Sequence, residues 1–278
     1  FRSAAGVNPI DRRLRAGELQ EYIQRTFPVT PGFDLSGRIV EVGDAVTGWQ
    51  VGDEIMGLAF TWSIQHGTYA EFAPVDAGAI APKPVNASFE QAAGIPLVSL
   101  TAWQSLLEFG QLGPGKTVLI QAGAGGVGSV AIPMAKHLGA TVYTTASAAN
   151  TDYVRSLGAD VVIDYANEDF VDVVRQATGG AGVDVVLDDR VHRAALRQVA
   201  GDRPPAATAV VAHEHVGRVI AELVGIDHRE HRVRVVDRGL DVVHEGRAPV
   251  DGQRSRLLPA LRSEEHTSEL QSPDHLVC

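Results

Sequence analysis

The chain has 278 residues, 45% of them hydrophobic, with a formal net charge of −10 and one cysteine, Cys278. That length allows one large or two modest domains, and no apolar run reaches the ~18–20 residues a membrane helix needs. A lone cysteine excludes internal disulfides and cysteine-based metal sites, the acidic balance excludes a basic nucleic-acid footprint, and a cytoplasmic protein with no membrane partner is expected.

Residues 1–90 are rich in turn signals. Pro31-Gly32, Val42-Gly43-Asp44 and Val51-Gly52-Asp53 punctuate short apolar runs at 37–42, 54–58, 68–74 and 78–81. Short strands divided by Gly, Asp and Pro predict a compact β-rich domain. At Ser88 the pattern changes. Ser88-x-x-Gln91 has the form of a capping box, and 92–110 reads as helix broken by Pro96. The passage into a second domain falls here.

From residue 117 strands and helices alternate. Strands are predicted at 117–122, 141–146, 161–165 and 183–188, and helices at 126–138, 150–157 and 168–178. This spacing implies an α/β unit with a doubly wound parallel sheet. The first strand ends in a glycine cluster that reads G-x-G-x-x-G at Gly123, Gly125 and Gly128. Glycine has a physical reason at each position. Gly123 allows the tight turn, Gly125 lets backbone approach a pyrophosphate, and Gly128 lets the helix pack closely. Free N–H groups at the helix start, with Ala124, Gly126 and Val127 between the glycines, would face the phosphates. The second strand ends near Ser147, where an NAD site usually carries a carboxylate for the ribose hydroxyls. No carboxylate at that tip would repel a 2′-phosphate, so NADP is favoured over NAD. No Arg or Lys is obvious there either.

Seven segments in order carry a family resemblance: GVNPIDRRLRAG (6–17), PGFDLSGRIVEVG (31–43), VGDEIMGL (51–58), GTYAEF (67–72), IPLVSLTAWQSL (95–106), QAGAGGVG (121–128) and LGADVVIDY (157–165). Together they resemble the zinc-independent quinone oxidoreductase (zeta-crystallin-like) branch of the medium-chain dehydrogenase/reductase superfamily. The resemblance implies a partial GroES-like catalytic domain over 1–90 and a partial Rossmann NADP-binding domain over 91–188. NADP(H) would lie in the cleft between them. It also implies hydride transfer to a quinone or to the β-carbon of an enone, a small-molecule carbonyl substrate, and homo-oligomers among intact relatives. By motif, Asn8 and Thr101 would sit near the nicotinamide, Ser147 would face the 2′-phosphate and Tyr165 would lie beside the adenosine. Asn8, Tyr69 and Thr101 are the polar candidates for holding the acceptor and its developing oxyanion. Each has a plainer reading: a turn at Asn8-Pro9, a half-buried strand aromatic at Tyr69, a helix cap at Thr101.

Zinc-dependent relatives carry a Cys near Asn8 and a His-Glu pair near Phe33-Asp34. Catalytic zinc needs three protein ligands, and Asp34 alone does not supply them, so no metal site is expected. Two departures from the family pattern stand out. Asn150, Thr151 and Asp152 stand in the stretch shortly after Ser147 where many relatives carry a Lys or Arg, and about 30 residues that open the family's catalytic domain do not precede Phe1.

Residues 189–278 differ in composition. All 16 aromatic residues and all lysines lie in 1–188, and 8 of the 10 histidines lie after it. Arg, Val, Ala, Gly, Asp, His and Pro dominate, as in a GC-rich gene read out of frame. An out-of-frame tail is expected over 189–261, with short or isolated elements and sparse long-range contacts. The segment RSEEHTSELQS (262–272) resembles a translated sequencing adapter, which sets 262–278 apart. The chain as it stands is therefore expected to be inactive. His213, His215, His228 and His231 have metal-like spacing but no further constraint. The competing functions are a non-catalytic nucleotide- or RNA-binding relative and an alcohol dehydrogenase-like enzyme. The acidic balance speaks against RNA, and the absent zinc ligands speak against the dehydrogenase.

Overall fold

The computed structural model describes residues 2–20, 23–60 and 63–188, together with four strand backbones at 209–211, 233–236, 241–244 and 275–277. The chain opens with β1 (Arg2–Ala5), α1 (Pro9–Ala16), β2 (Gln24–Thr30), β3 (Asp34–Arg38), β4 (Glu41–Val42), β5 (Glu54–Leu58), β6 (Ser63–His66), β7 (Pro74–Asp76) and β8 (Ile80–Pro82). β1, β3, β5 and β8 form an antiparallel sheet in that order, while β2 pairs in parallel with β6. The Val51-Gly52-Asp53 turn closes β3 onto β5. Ile39 N–H donates to Asp53 O and Gly52 N–H donates to Ile39 O, with Gly52 at φ +100. One core gathers Leu14, Phe33, Leu58, Phe60 and Ile64; another gathers Leu35, Ile39, Ile55 and Val75.

One strand assignment needs correcting. The run at 68–74 is a loop, and β7 begins only at Pro74. Its backbone donors turn back on the neighbouring loop: Gly67, Thr68 and Tyr69 N–H donate to Thr30, Gly32 and Pro31 carbonyls. With those donors committed, no ladder forms, and the segment holds Tyr69 against Gly32 instead.

The predicted helix at 92–110 is three pieces. α2 (Phe89–Ala93) starts at Ser88, whose hydroxyl accepts from Gln91 N–H while Gln91 Oε1 accepts from Ser88 N–H. α3 (Pro96–Trp103) restarts at Pro96, where a missing N–H costs nothing. A π-helical turn over Gln104–Phe109 then carries the chain into the second domain.

That domain contains β9 (Thr117–Ile120), α4 (Gly126–His137), β10 (Thr141–Ala146), α5 (Thr151–Ser156), β11 (Val161–Asp164), α6 (Phe170–Ala177), β12 (Val185–Leu187) and β13 (Ala209–Val211). The strands are parallel in the order β11-β10-β9-β12-β13. β9 lies between β10 and β12, so the sheet reverses direction beside the glycine turn. Both faces are covered. Val118, Ile120, Val142, Val185 and Leu187 pack with Ala131, Ile132 and Ala135 of α4 and Val154 of α5. Leu119, Tyr143, Ile163 and Val186 pack with Val171 and Val174 of α6. Alternate residues of one strand thus serve opposite faces, and a parallel sheet needs both buried.

Past residue 188, β13 adds a fifth parallel strand to this sheet, pairing Val185 with Ala209 and Leu187 with Val211. β14 (Val233–Val236) pairs with β15 (Asp241–His244), and β16 (His275–Val277) lies between β4 and β7. The remaining expectations for 189–278, including the histidine spacing, lie outside the described residues. Among the described residues no helix is long and apolar enough to cross a membrane.

Candidate functional site

The glycine turn is built from both sides. Ala122 N–H donates to Thr145 Oγ1 (2.9 Å) and Gly123 N–H to Thr145 O (2.9 Å), which ties the turn to the tip of β10. Thr145 Oγ1 donates in turn to Gln121 Oε1 (2.7 Å), and Thr144 Oγ1 to Ile120 O (2.7 Å). A Cβ on Gly123 would run into Thr144 Oγ1 and come within 3.0 Å of Ile132 Cδ1; one on Gly128 would lie 2.6 Å from Gly123 Cα. The role expected for Gly123 is therefore corrected. The left-handed residue of the turn is Ala122, at φ 55, and Gly123 is required for close approach to β10.

Gly125 caps α4, and Gly125 and Gly126 are exposed, while Gly123 and Gly128 are buried and Ala124 and Val127 half-buried. Bare backbone at the N-terminus of a twelve-residue helix thus faces outward, as a pyrophosphate requires. Ser147 follows β10, and its hydroxyl accepts from Asn150 Nδ2 (3.2 Å). Tyr165 follows β11 and is 62% exposed. Its N–H donates to Ala146 O (3.3 Å), which brings the ends of β10 and β11 side by side.

In the first domain Asn8 N-caps α1 with Pro9 at the first helical position, so the plain turn reading gives way to a cap. Asn8 N–H donates to Asp11 Oδ2 (2.7 Å), and Asn8 Nδ2 donates to Asp34 Oδ2 (2.8 Å). The Tyr69 hydroxyl donates to Asp11 Oδ2 (2.9 Å). Asp34 Oδ1 accepts from Leu97 N–H (3.0 Å), and Leu97 O accepts from Thr101 Oγ1 (2.9 Å). Thr101 is therefore inside α3 and not at its cap. Asn8, Tyr69 and Thr101 belong to one continuous network, whose links are Asp11 and Asp34. The next residue after Leu97 meets the glycine turn: Val98 Cγ1 lies 3.2 Å from where a Cβ on Gly126 would be.

Burial dominates the electrostatics. Asp34 is 1% exposed, and burial pushes its carboxyl up to about 6 against the pull of the Asn8 and Leu97 donors, with Asp11 adding to the rise. Burial also raises Asp11, opposed by hydrogen bonds from the Asn8 N–H and the Tyr69 hydroxyl and by the nearby Gly32 N–H. Tyr69 is held neutral far beyond its usual range, by burial first and then by its bond to Asp11.

Phe33 is fully buried in an apolar core and Asp34 has both oxygens engaged, so neither stands as a free donor. Among the described residues no group of three or more His, Cys, Asp or Glu side chains could hold a metal ion. An apolar groove of about 290 Å³ between β5, β8 and α3 is lined by Met56, Phe60, Ile80, Ile95, Ser99 and Leu100.

Sequence reading missed Asp11, Thr144 and Thr145, and it missed what Asp34 holds. Asp11 was visible as the third helical residue after an N-cap, and Thr144-Thr145 as polar residues ending an apolar strand. The pairing of Asp34 with Leu97, 63 residues away, leaves no local signal.

A β-rich domain joined to a parallel sheet with a glycine turn at its switch point defines a dinucleotide-dependent dehydrogenase architecture. Residues 2–85 match the alcohol dehydrogenase GroES-like domain family and residues 126–212 the zinc-binding dehydrogenase family. The chain is 41% identical over 176 residues to an NADPH-dependent alkenal/one oxidoreductase of Arabidopsis thaliana, covering 61% of this chain and 45% of the relative. It is 36% identical over 170 residues to a quinone-oxidoreductase homolog of Spinacia oleracea, covering 58% and 50%. The chain thus spans about half the length of these curated relatives. A solved alcohol dehydrogenase superfamily protein from Novosphingobium aromaticivorans is 34% identical, with a TM-score of 0.67 over 80% of this chain and 75% of that one. The chain belongs to the medium-chain dehydrogenase/reductase superfamily, in the branch of quinone and alkenal oxidoreductases.

Proposed function

We propose that the full-length protein is an NADPH-dependent oxidoreductase that reduces a quinone or an enone without a metal. The observation that carries this reading is the junction at α3. The glycine turn and the Asn8–Asp34–Thr101 network meet on one helical turn, through Val98 and Leu97. Exposed backbone at Gly125 and Gly126 fits the pyrophosphate, and Ser147 and Tyr165 follow the adjacent strands β10 and β11. When bound, the reduced nicotinamide supplies the hydride. The chain's own part is to orient the acceptor and meet the charge that develops on its oxygen. Asn8, Tyr69 and Thr101 are the groups proposed for that work.

Ser147 supports NADPH over NADH, because no carboxylate stands where it would repel a 2′-phosphate. The engaged Asp34 and the buried Phe33 support the metal-free reading. The single cysteine supports a cytoplasmic setting. No membrane or nucleic acid is a proposed partner, and a homo-oligomer is the proposed assembly. Activity is assigned to the full-length protein, and the 278-residue chain is expected to be inactive.

The test is NADPH oxidation by the full-length protein against a series of quinones and enones. Turnover with at least one acceptor class is expected. No turnover with any acceptor, together with no NADPH binding, would falsify the reading.

A further inference from the structure

Ala122 is the residue of the glycine turn that is held against its own preference. Its φ is 55, in the left-handed region that a residue with a Cβ seldom enters. The turn depends on that conformation. Ala122 O accepts from Gly125 N–H (2.8 Å), and a Cβ on Gly128 would lie 2.5 Å from the same oxygen. Gly125 is the N-cap of α4, so the Ala122 carbonyl sets where the helix begins.

Thr145, on the neighbouring strand β10, supplies what holds Ala122. Its Oγ1 accepts from Ala122 N–H (2.9 Å) and donates to Gln121 Oε1 (2.7 Å). A threonine hydroxyl has one hydrogen to give. With that hydrogen committed to Gln121, the lone pairs of Oγ1 are left for Ala122 N–H. Thr145 O takes the next donor, Gly123 N–H (2.9 Å). Thr145 is 3% exposed, so water competes little for these bonds. The N–H groups of Ala122, Gly123 and Gly125 are therefore spent inside the turn. Those of Ala124, Gly126, Val127 and Gly128 have no acceptor among the described residues. The first turn of a helix leaves such donors open, and an anion takes them.

We propose that Thr145 is a positioning residue for the cofactor's pyrophosphate: its hydroxyl locks Ala122 in the left-handed conformation, and the lock fixes the open N–H groups of the turn in place before the cofactor arrives. This rests on NADP(H) binding at the glycine turn, and on no particular acceptor or reaction. The gain is preorganisation, which is read as affinity. It depends on residue 122 having a side chain, because glycine enters the left-handed region without the steric cost.

The experiment is calorimetric titration of the full-length protein with NADPH, together with amide hydrogen exchange on the cofactor-free 278-residue chain. Thr145→Val keeps the shape and loses the hydroxyl, and should weaken NADPH binding about tenfold, the worth of one hydrogen bond. Thr145→Ser keeps the hydroxyl and should bind within about twofold of the wild type. In a protein that already carries Ala122→Gly, Thr145→Val should cost about threefold or less. Without cofactor, Thr145→Val should speed exchange at Gly125 N–H, whose acceptor is the Ala122 carbonyl, while Leu119 N–H in β9 keeps its protection. A general loss of stability would move Leu119 as well and would ignore residue 122. Equal losses with and without Ala122→Gly, a Thr145→Ser protein as weak as Thr145→Val, or unchanged Gly125 exchange overturns the proposal. Thr145→Ala carries the same comparisons if Thr145→Val does not fold. A wild type that binds no NADPH overturns the cofactor reading and this proposal together, whereas wild-type binding with any of the other failures overturns the lock alone.

Discussion

Replacing Asp34 by asparagine should change how stability depends on pH, and the structure sets the size of the effect. The Asp34 carboxyl is buried and its value rises from the ordinary 3.8 to about 6. The folded state therefore binds this proton more tightly than the unfolded chain does. The corresponding stabilisation is complete below pH 3.8 and is lost as pH rises through about 6. A difference of about two pH units corresponds to about 3 kcal/mol at ~1.4 kcal/mol per unit. The substituted side chain keeps the shape and carries no charge: its carbonyl still accepts from Leu97 N–H, and Asn8 can turn its amide to accept from the new NH₂. Urea unfolding followed by tryptophan fluorescence, at steps from about pH 4 to about pH 8, measures both proteins. The stability of the wild type relative to Asp34→Asn should fall by about 2 kcal/mol between about pH 4 and about pH 6.5, then level off. A difference that is flat across this window, or that grows with pH, refutes the reasoning.

Gly123→Ala should destabilise the second domain by about 1–3 kcal/mol, because the new Cβ meets Thr144 Oγ1. Thermal unfolding should recover part of that loss in the Gly123→Ala, Thr144→Ala double variant, and full additivity would count against the steric account. Ser147→Asp in the full-length protein should move preference from NADPH toward NADH by calorimetric titration; an unchanged ratio would place the 2′-phosphate elsewhere. Chelation should leave the reductase activity of the purified full-length protein unchanged, whereas zinc lost together with activity would reinstate the metal reading.

The parallel sheet was legible because its signals are local. β-branched runs, a glycine cluster and helix-period stretches recur at short spacing, and four of the five strands fall within residues 117–122, 141–146, 161–165 and 183–188, while β13 lies in the stretch expected to be out of frame. The glycine turn was legible in position and not in mechanism. Its left-handed residue is Ala122, and the need for glycine at 123 comes from Thr144, on the neighbouring strand. The first domain was harder. The 68–74 run has strand-like composition, yet its donors serve carbonyls at 30–32, a pairing that only the folded chain reveals. Asn8, Tyr69 and Thr101 were named as separate polar candidates. What joins them is a pair of aspartates whose partners lie 26 to 63 residues away, beyond any periodicity.

The same aspartate that costs stability does something a neutral residue would do less well. The first N–H groups of a helix have no partner inside it, and α3 begins at Ile95-Pro96 with no side-chain cap of its own. Leu97 N–H is satisfied from outside, by Asp34 Oδ1 on β3. An anion there also meets the positive end of the α3 dipole. Burial and the helix thus pull the carboxylate in opposite directions, and the value near 6 records that burial prevails. The gain is positional. Asp34 holds Asn8 with one oxygen and α3 with the other, and the residue after Leu97 packs on Gly126 of the glycine turn. One buried side chain therefore sets the distance between the polar network of the first domain and the glycine turn of the second. A cap supplied from within α3 would satisfy the same N–H group and leave that distance unspecified.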